Sequence, residues 1–350
     1  VDAQSQDHVF PLAAAPLAGR PEYGLALAVL IGGAAQLALQ LPFLARNRLQ
    51  VWRRARAFHP ALARVARLMV PAVLGGAVYQ INVLVGTLLA SFLPEGSVSY
   101  LYYAERLLEF PLGIVAMAGA TAVLPSLARE AAAGDAEALR STFGYAFRMV
   151  SFLTLPAMAG LILLGEPMVV LLFQRGEFGA ESARLTSQAL LYYAMGLWAF
   201  SAVRIVVAAF FALQDSRTPV RVATISILAN VVLGAVLMRP LAHGGIALAA
   251  SLASFLNLAL LLLALRKKLT AVDWRAIGAS LGRCLASTLV MAAGVAFMAR
   301  TVMGQQPATA VGVAACMVAG VLMYGGAALI LRSPELAGIY GLVKRSLRAR

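Results

Sequence analysis

Apolar residues run through this chain in long blocks rather than in alternation with polar ones. Nine stretches are nearly free of charge, at roughly 23–44, 68–93, 98–124, 149–173, 189–213, 219–238, 244–265, 279–300 and 308–331. A hydrocarbon core takes about 20 apolar residues in helical form to cross. The pattern therefore predicts an all-α polytopic membrane protein of about nine transmembrane helices. The blocks 98–124 and 149–173 are interrupted by Pro111 and Pro156. Each leaves a carbonyl without its helical partner, so both spans are expected to be interrupted there.

The polar connections orient the spans. The longest, residues 45–67, reads "ARNRLQVWRRARAFHPALARVAR" and holds seven arginines, whereas the connection at 94–97 holds no basic residue. Continued along the chain, alternate connections carry twenty-one of the 29 basic residues on one side and five on the other. The positive-inside rule then puts the N-terminus outside and the C-terminus in the cytoplasm, which an odd number of spans requires. Leu49, Trp52, Ala55, Leu62 and Val65 lie among the arginines of 45–67. That segment reads either as an ordinary basic loop or as an amphipathic helix linking two bundles at the headgroups.

Composition sharpens the class. Of 350 residues, 61% are hydrophobic and 13% charged, the net charge is +14, and the mean hydropathy is +0.83. The positive charge sits in connections between apolar blocks, which excludes a nucleic-acid partner and leaves membrane lipids as the surroundings. Cys284 and Cys316 fall inside apolar blocks, and His8, His59 and His243 are far apart, so neither a disulfide framework nor a metal site is expected. Residues 1–20 form neither a cleavable signal nor a span, and the chain opens on Val1. It therefore reads as a piece of something longer.

One span breaks the apolar rule. "SYLYYAERLLEFPLGIVAM", residues 99–117, carries Glu105, Arg106 and Glu109. From a start near Val98, Arg106 lies ~12 Å along the helix, near the bilayer midplane. Charge at that depth must face a bundle interior or a water-filled cavity. Arg106 and Glu109 are spaced to pair, and Glu105 and Glu109 stack one turn apart, so the two carboxylates are expected to flank the guanidinium. Two readings stay open: a closed ion network that only clamps helices, or an Arg106 aimed into a polar cavity and oriented by its neighbours. In the second, the planar fork of donors suits a phosphate. Arg204 is another cation mid-span, with no acidic residue one turn away, and its role divides between structure and transport. Gln36, Gln40, Gln80, Asn82, Asn230 and Asn257 also lie in spans. Interhelical hydrogen bonding is the first expectation for each. No P-loop, nucleophile elbow or dinucleotide turn occurs, so no enzyme and no cofactor is expected, and any transport must run on a gradient or on membrane potential.

Four stretches carry a resemblance: "LYYAERLLEFPLGIVAMAGATAVLPSLAR", "LLFQRGEF", "FFALQDSRTPVR" and "GGIALAASLASFLNLALLLLALRKKL". In content, order and spacing the chain from about Tyr23 resembles the MurJ/MviN lipid II flippases. These belong to the multidrug/oligosaccharidyl-lipid/polysaccharide (MOP) exporter superfamily. The family has fourteen spans, in two six-helix lobes followed by two further helices. The nine spans here are similar to the sixth through the fourteenth. The resemblance thus implies a remnant of the first lobe (1–44), a basic cytoplasmic inter-lobe linker (45–67), a six-helix second lobe (68–268), and two additional helices with a basic tail (269–350). It also implies lipid II, an undecaprenyl-diphosphate-linked disaccharide-pentapeptide, as the ligand. The implied activity is translocation across the bacterial inner membrane by alternating access between lobes, with the two additional helices forming a groove for the lipid tail. Arg106 matches the family's functional intramembrane arginine, and Glu105 and Glu109 stand at its acidic positions. These three make up the implied substrate-binding set, and Arg204 joins them as a candidate from its own mid-span position.

Two departures follow from the same comparison. The cavity arginines of the first two family helices have no counterpart, so this chain alone is not expected to flip lipid II. Gly86 and Gly234 stand where some members hold sodium with acidic residues, leaving Asn230 as the remaining ion-binding candidate. The alternatives are another exporter of the superfamily, carrying a different polyprenyl-diphosphate glycan or a cationic drug, and a non-transporting scaffold that recruits cell-wall synthesis machinery. A membrane-embedded glycan transferase is a further class, but no paired carboxylates stand in an outer connection.

Overall fold

The structure is a computed structural model that describes residues 21–46, 83–303, 309–336 and 338. The basic segment 45–67, most of the expected span 68–93 and the C-terminal basic tail lie outside the described residues. The chain divides into two units, Val1–Arg67 and Leu68–Arg350. In the first, the described part is one helix, α1 (Pro21–Arg46), with Pro42 inside it.

Among the described residues the second unit is helical apart from short connections, with no strand. Residues 83–90 (α2) are helical. They are followed by α3 (Ser97–Pro111), a π-helical segment (Leu112–Met117) and α4 (Ala118–Ala133). Then come α5 (Ala136–Phe173), α6 (Ala180–Met195), α7 (Leu197–Ala212), α8 (Arg217–Lys268), α9 (Trp274–Met303) and α10 (Ala310–Ile330).

The connections explain the boundaries. Gly134, at φ 71°, ends α4 in the left-handed region that glycine alone enters without strain. The Asp135 carboxylate then accepts from the Ala138 N–H at 3.0 Å and starts α5. Asp215 starts α8 in the same way, accepting from Arg217 N–H (3.1 Å) and Thr218 N–H (3.0 Å). Asp273 caps α9 through Ala276 N–H, and Thr309 caps α10 through Gly312 N–H.

The expected breaks are realised unevenly. Pro111 opens a six-residue π segment, in which a widened turn accommodates the missing donor. Pro156 does not interrupt α5, which runs 38 residues through it and through Pro167. An unexpected break falls at Gly196, where α6 and α7 meet at 42°. A Cβ at Gly196 would sit 2.9 Å from the Ser251 Cα, and the Ser251 hydroxyl donates to the Tyr192 carbonyl at 2.7 Å. Glycine admits the close approach, and serine satisfies a carbonyl beside the bend.

The 52-residue α8 would be ~78 Å long if straight, far beyond a hydrocarbon core of about 30 Å. It is instead two antiparallel helices. Pro240 and the non-helical Ala242 (φ 48°, ψ −132°) break it between the two expected spans. A Cβ at Gly234 would lie 3.9 Å from the Ala249 Cβ, and one at Gly245 would strike the Leu237 carbonyl.

Among the described residues, four apolar clusters hold the bundle; in one, Leu108, Leu112 and Ala116 meet Leu161 of α5 and Leu197 of α7. Phe143 and Phe147 pack with Ile205, Phe210, Leu261 and Leu265 to join α5, α7 and the second half of α8. Leu101, Ala104 and Leu190 join α3 to α6. Phe152, Cys284, Cys316 and Tyr324 dock α9 and α10 on α5, with the Tyr324 hydroxyl donating to the Phe152 carbonyl at 2.7 Å. Beyond these contacts the helices expose long apolar faces, such as Leu228, Val232 and Val236 on α8 and Val318, Val321 and Leu322 on α10. Surfaces of that kind belong against lipid or another apolar partner.

Candidate functional site

The charged cluster sits on α3. Leu101, Ala104 and Leu108 are buried along one face of that helix. The opposite face carries Tyr102, Arg106 and Phe110 and continues as Ile114 and Met117, all exposed. The spacing of four residues makes this a stripe one turn apart. Arg106 therefore lies on a largely apolar, open face, and half of its side chain is exposed (50%).

Its partners come from its own helix. Arg106 Nη1 pairs with Glu109 Oε2 at 2.8 Å, and the guanidinium lies 4.9 Å from the centre of the Tyr102 ring. No other helix clamps the group among the described residues. Glu109 and Tyr102 hold the fork from either end along the axis. An arginine carries five N–H donors, so most of the fork stays open to a ligand.

Glu105 does not flank the guanidinium as expected; Glu109 is the carboxylate within ion-pair distance. The reason is angular. At 100° per residue, Glu105 lies 100° from Arg106 and Glu109 lies 60° from it, and both lie on the same side. The nearer takes the pair, and Glu105 turns to the half-buried side of α3. Tyr102 is the residue the sequence reading missed; an aromatic one turn before an arginine was the available signal.

Arg204 and Asn230 are not brought to this cluster. Arg204 is half-buried on α7 and is engaged within the described residues. Its neighbour Ile205 packs beside Gly119, ~20 Å further along the α3–α4 axis than Arg106. The two intramembrane arginines thus occupy different depths. Asn230 is buried on the first half of α8. One turn on, Gly234 is met closely by the Leu89 side chain.

Further polar clusters lie at the two ends of the bundle. At the arginine-rich end, Asp215 accepts from Lys268 Nζ at 2.8 Å and from the Thr218 hydroxyl at 2.6 Å. Desolvation alone would raise its pKa. The Lys268 and Thr218 hydrogen bonds outweigh that and hold the carboxyl at about 2. Glu335, buried just after α10, accepts from the Ser280 and Ser333 hydroxyls at 2.7 Å each and lies 3.7 Å from Arg148 Nε. It pins the chain after α10 to α9 and α5. At the opposite end, His243 Nε2 donates to the Leu185 carbonyl at 2.8 Å beside a cavity of about 300 Å³ that Glu95, Tyr100 and Gln188 also line.

An intramembrane arginine held by Glu and Tyr on an open helix face, within a bundle of this topology, can be set beside known proteins. The family model for the lipid II flippase MurJ matches residues 10–314. The chain belongs to this family. The probable lipid II flippase MurJ of Vibrio cholerae is 41% identical over 242 residues, covering 69% of this chain and 46% of that protein. Its Haemophilus influenzae counterpart is 36% identical over 259 residues, covering 72% and 51%. Among solved structures, the lipid II flippase MurJ in an inward closed conformation superposes with a TM-score of 0.68 at 23% identity. It covers 86% of this chain and 60% of that one, which gives the fold. The chain spans about half the length of the curated MurJ relatives it matches.

Proposed function

We propose that this chain supplies the diphosphate-gripping lobe of a flippase that moves lipid II across the bacterial inner membrane. The observation that carries the reading is Arg106: a guanidinium deep in a span, half-exposed, and oriented, among the described residues, from within α3 by Glu109 at 2.8 Å and the Tyr102 ring at 4.9 Å. A cation there is costly unless something polar meets it, and its open donors form a fork that matches two phosphate oxygens at once. Glu109 keeps the fork from swinging toward water between ligands. The apolar stripe of Phe110, Ile114 and Met117 lies beside it along the same face.

In this reading the matching lobe of the whole protein closes over the α3 face, and alternating access carries the diphosphate across while the polyprenyl tail stays in lipid. Arg204 serves the same pathway at a different depth. Asn230 has no acidic residue at position 86 or 234 to build a cation site with it. The arginine-rich connections face the cytoplasm, and the cell-wall synthesis machinery consumes the delivered precursor on the outer side. No chemical step is involved, so the activity is transport rather than catalysis.

The test is made in the full-length protein, in cells depleted of their own flippase. Arg106→Ala is expected to abolish rescue with the protein level unchanged. Arg106→Lys keeps the charge but loses the planar fork, and is expected to rescue poorly. Normal rescue by Arg106→Ala would remove this residue, and with it the proposed grip, from the mechanism.

A further inference from the structure

A polar cavity of about 430 Å³ lies at the arginine-rich end, far from the α3 face. It is lined by Glu137, Arg140, Gly144 and Arg148 of α5 and by Asp273 ahead of α9. Arg140 and Arg148 are eight residues apart, about two turns, and so share one face of α5. The Nε atoms of both are buried and have no hydrogen-bond partner. Arg148 Nε lies 3.7 Å from Glu335, too long for a hydrogen bond. No ion pair joins Arg140 to any described residue. The buried Nε atoms are out of a ligand's reach, but both side chains line the cavity and are only half-buried, so their remaining N–H donors can meet an acceptor there.

The carboxylates narrow the choice. Glu137, in the first turn of α5, has no ion-pair partner among the described residues, and Asp273 spends one oxygen on the Ala276 N–H. The lining is therefore balanced, with two guanidinium groups and two carboxylates. A simple anion would meet the carboxylates and a simple cation the arginines. A group carrying both a phosphate and a primary ammonium satisfies all four. A trimethylammonium group, with no N–H, would not serve the carboxylates.

Depth identifies the source. The long apolar run of α5 starts at Met149, immediately after Arg148. Trp274, with the Arg266 guanidinium 5.7 Å from its ring, marks the membrane–water boundary at the start of α9. The cavity thus opens at headgroup level. We propose that it binds the headgroup of a phosphatidylethanolamine-type lipid from the leaflet on the arginine-rich side. The phosphate lies on Arg140 and Arg148, and the ammonium on Glu137 and Asp273. This is a resident-lipid site, independent of the translocation reading.

The full chain is reconstituted with equimolar phosphatidylethanolamine, phosphatidylglycerol and phosphatidylcholine, and the lipid retained on the folded, monodisperse protein is measured by native mass spectrometry. Phosphatidylethanolamine is expected to be retained about tenfold over either competitor. Arg140→Gln is expected to reduce that retention about tenfold, the usual effect of losing a charge-assisted hydrogen bond. Glu137→Gln is expected to shift the preference toward phosphatidylglycerol. Gly144→Leu fills the cavity without altering charge, since a Cβ there meets nothing within 4 Å, and it too is expected to abolish retention. Equal retention of phosphatidylethanolamine and phosphatidylglycerol by the wild type would overturn the assignment. So would wild-type retention in both Arg140→Gln and Gly144→Leu, or ready displacement of the lipid by soluble O-phosphoethanolamine.

Discussion

Single side chains divide here into those that answer to lipid and those that answer to water. Arg106 is set within the apolar span of α3 and remains half-exposed. Asp215, in a connection, is almost fully enclosed by Lys268, Thr218 and the start of α8. Its carboxyl titrates at about 2 against an ordinary value of 3.8. A depressed pKa means that the folded state favours the carboxylate. The stabilisation is complete above pH ~3.8 and is lost as the pH falls toward about 2. Lys268 is partly exposed, so screening trims the contribution to about 1–2 kcal/mol. Asp215→Asn keeps the acceptor oxygen for the helix start but loses the charge. It is expected to lower the thermal midpoint in detergent by several degrees at pH 7. The gap between mutant and wild type should close between pH 4 and pH 2. A gap that stays constant over that range would assign the effect to geometry rather than to charge.

Whole helices record which features hydropathy can read. The apolar blocks at 98–124, 149–173, 219–238 and 244–265 all fall inside observed helices, because twenty predominantly apolar residues have few other ways to satisfy their backbone in lipid. Helix ends beyond the hydrocarbon were not legible. α5 begins at Ala136, thirteen residues before its expected start, since Glu137, Arg140 and Ser141 favour a helix at the interface but carry no hydropathy signal. The bend at Gly196 and the continuity through Pro156 depend on neighbours that only the folded bundle supplies. The Arg106–Glu109 pair was legible from spacing alone, whereas the one-sided placement of Glu105 required the angle to be worked out. The glycines of the α8 hairpin give this scale its test. Gly245→Ala drives a methyl into the Leu237 carbonyl, and is expected to cost on the order of 2–3 kcal/mol and to reduce membrane-inserted protein. Gly160→Ala, where a Cβ meets nothing within 4 Å, is expected to be neutral or mildly stabilising, as alanine outranks glycine in a helix. Equal effects at the two positions would mean that helix propensity, not the hairpin contact, governs the result.

For the molecule as a whole, what matters is which end of the bundle faces the cytoplasm, because the direction of the proposed transport and the leaflet of the proposed lipid site both follow from it. The bundle offers an unusually clean probe. Its two cysteines, Cys284 and Cys316, are buried at 1% and 0% exposure in the contact between α5, α9 and α10, so a membrane-impermeant maleimide should find little background. Ala133, at the end of α4, and Gln174, at the end of α5, are both exposed. They lie at opposite ends of the bundle, because α5 runs once across it between them. In the orientation proposed from positive-inside asymmetry, the Ala133 end, with Arg129 and Arg140, faces the cytoplasm. In intact cells from which any outer barrier has been removed, Gln174→Cys is expected to label at once, and Ala133→Cys only after permeabilisation. Reversal of the two would invert every span. Arg106 would keep its place on α3, but the arginine-rich cavity would then draw its lipid from the outer leaflet, and the basic connections would need another explanation than topology. Labelling of both in intact cells would show that the α4–α5 hairpin does not cross the membrane as a pair, which the 38-residue length and apolar faces of α5 argue against.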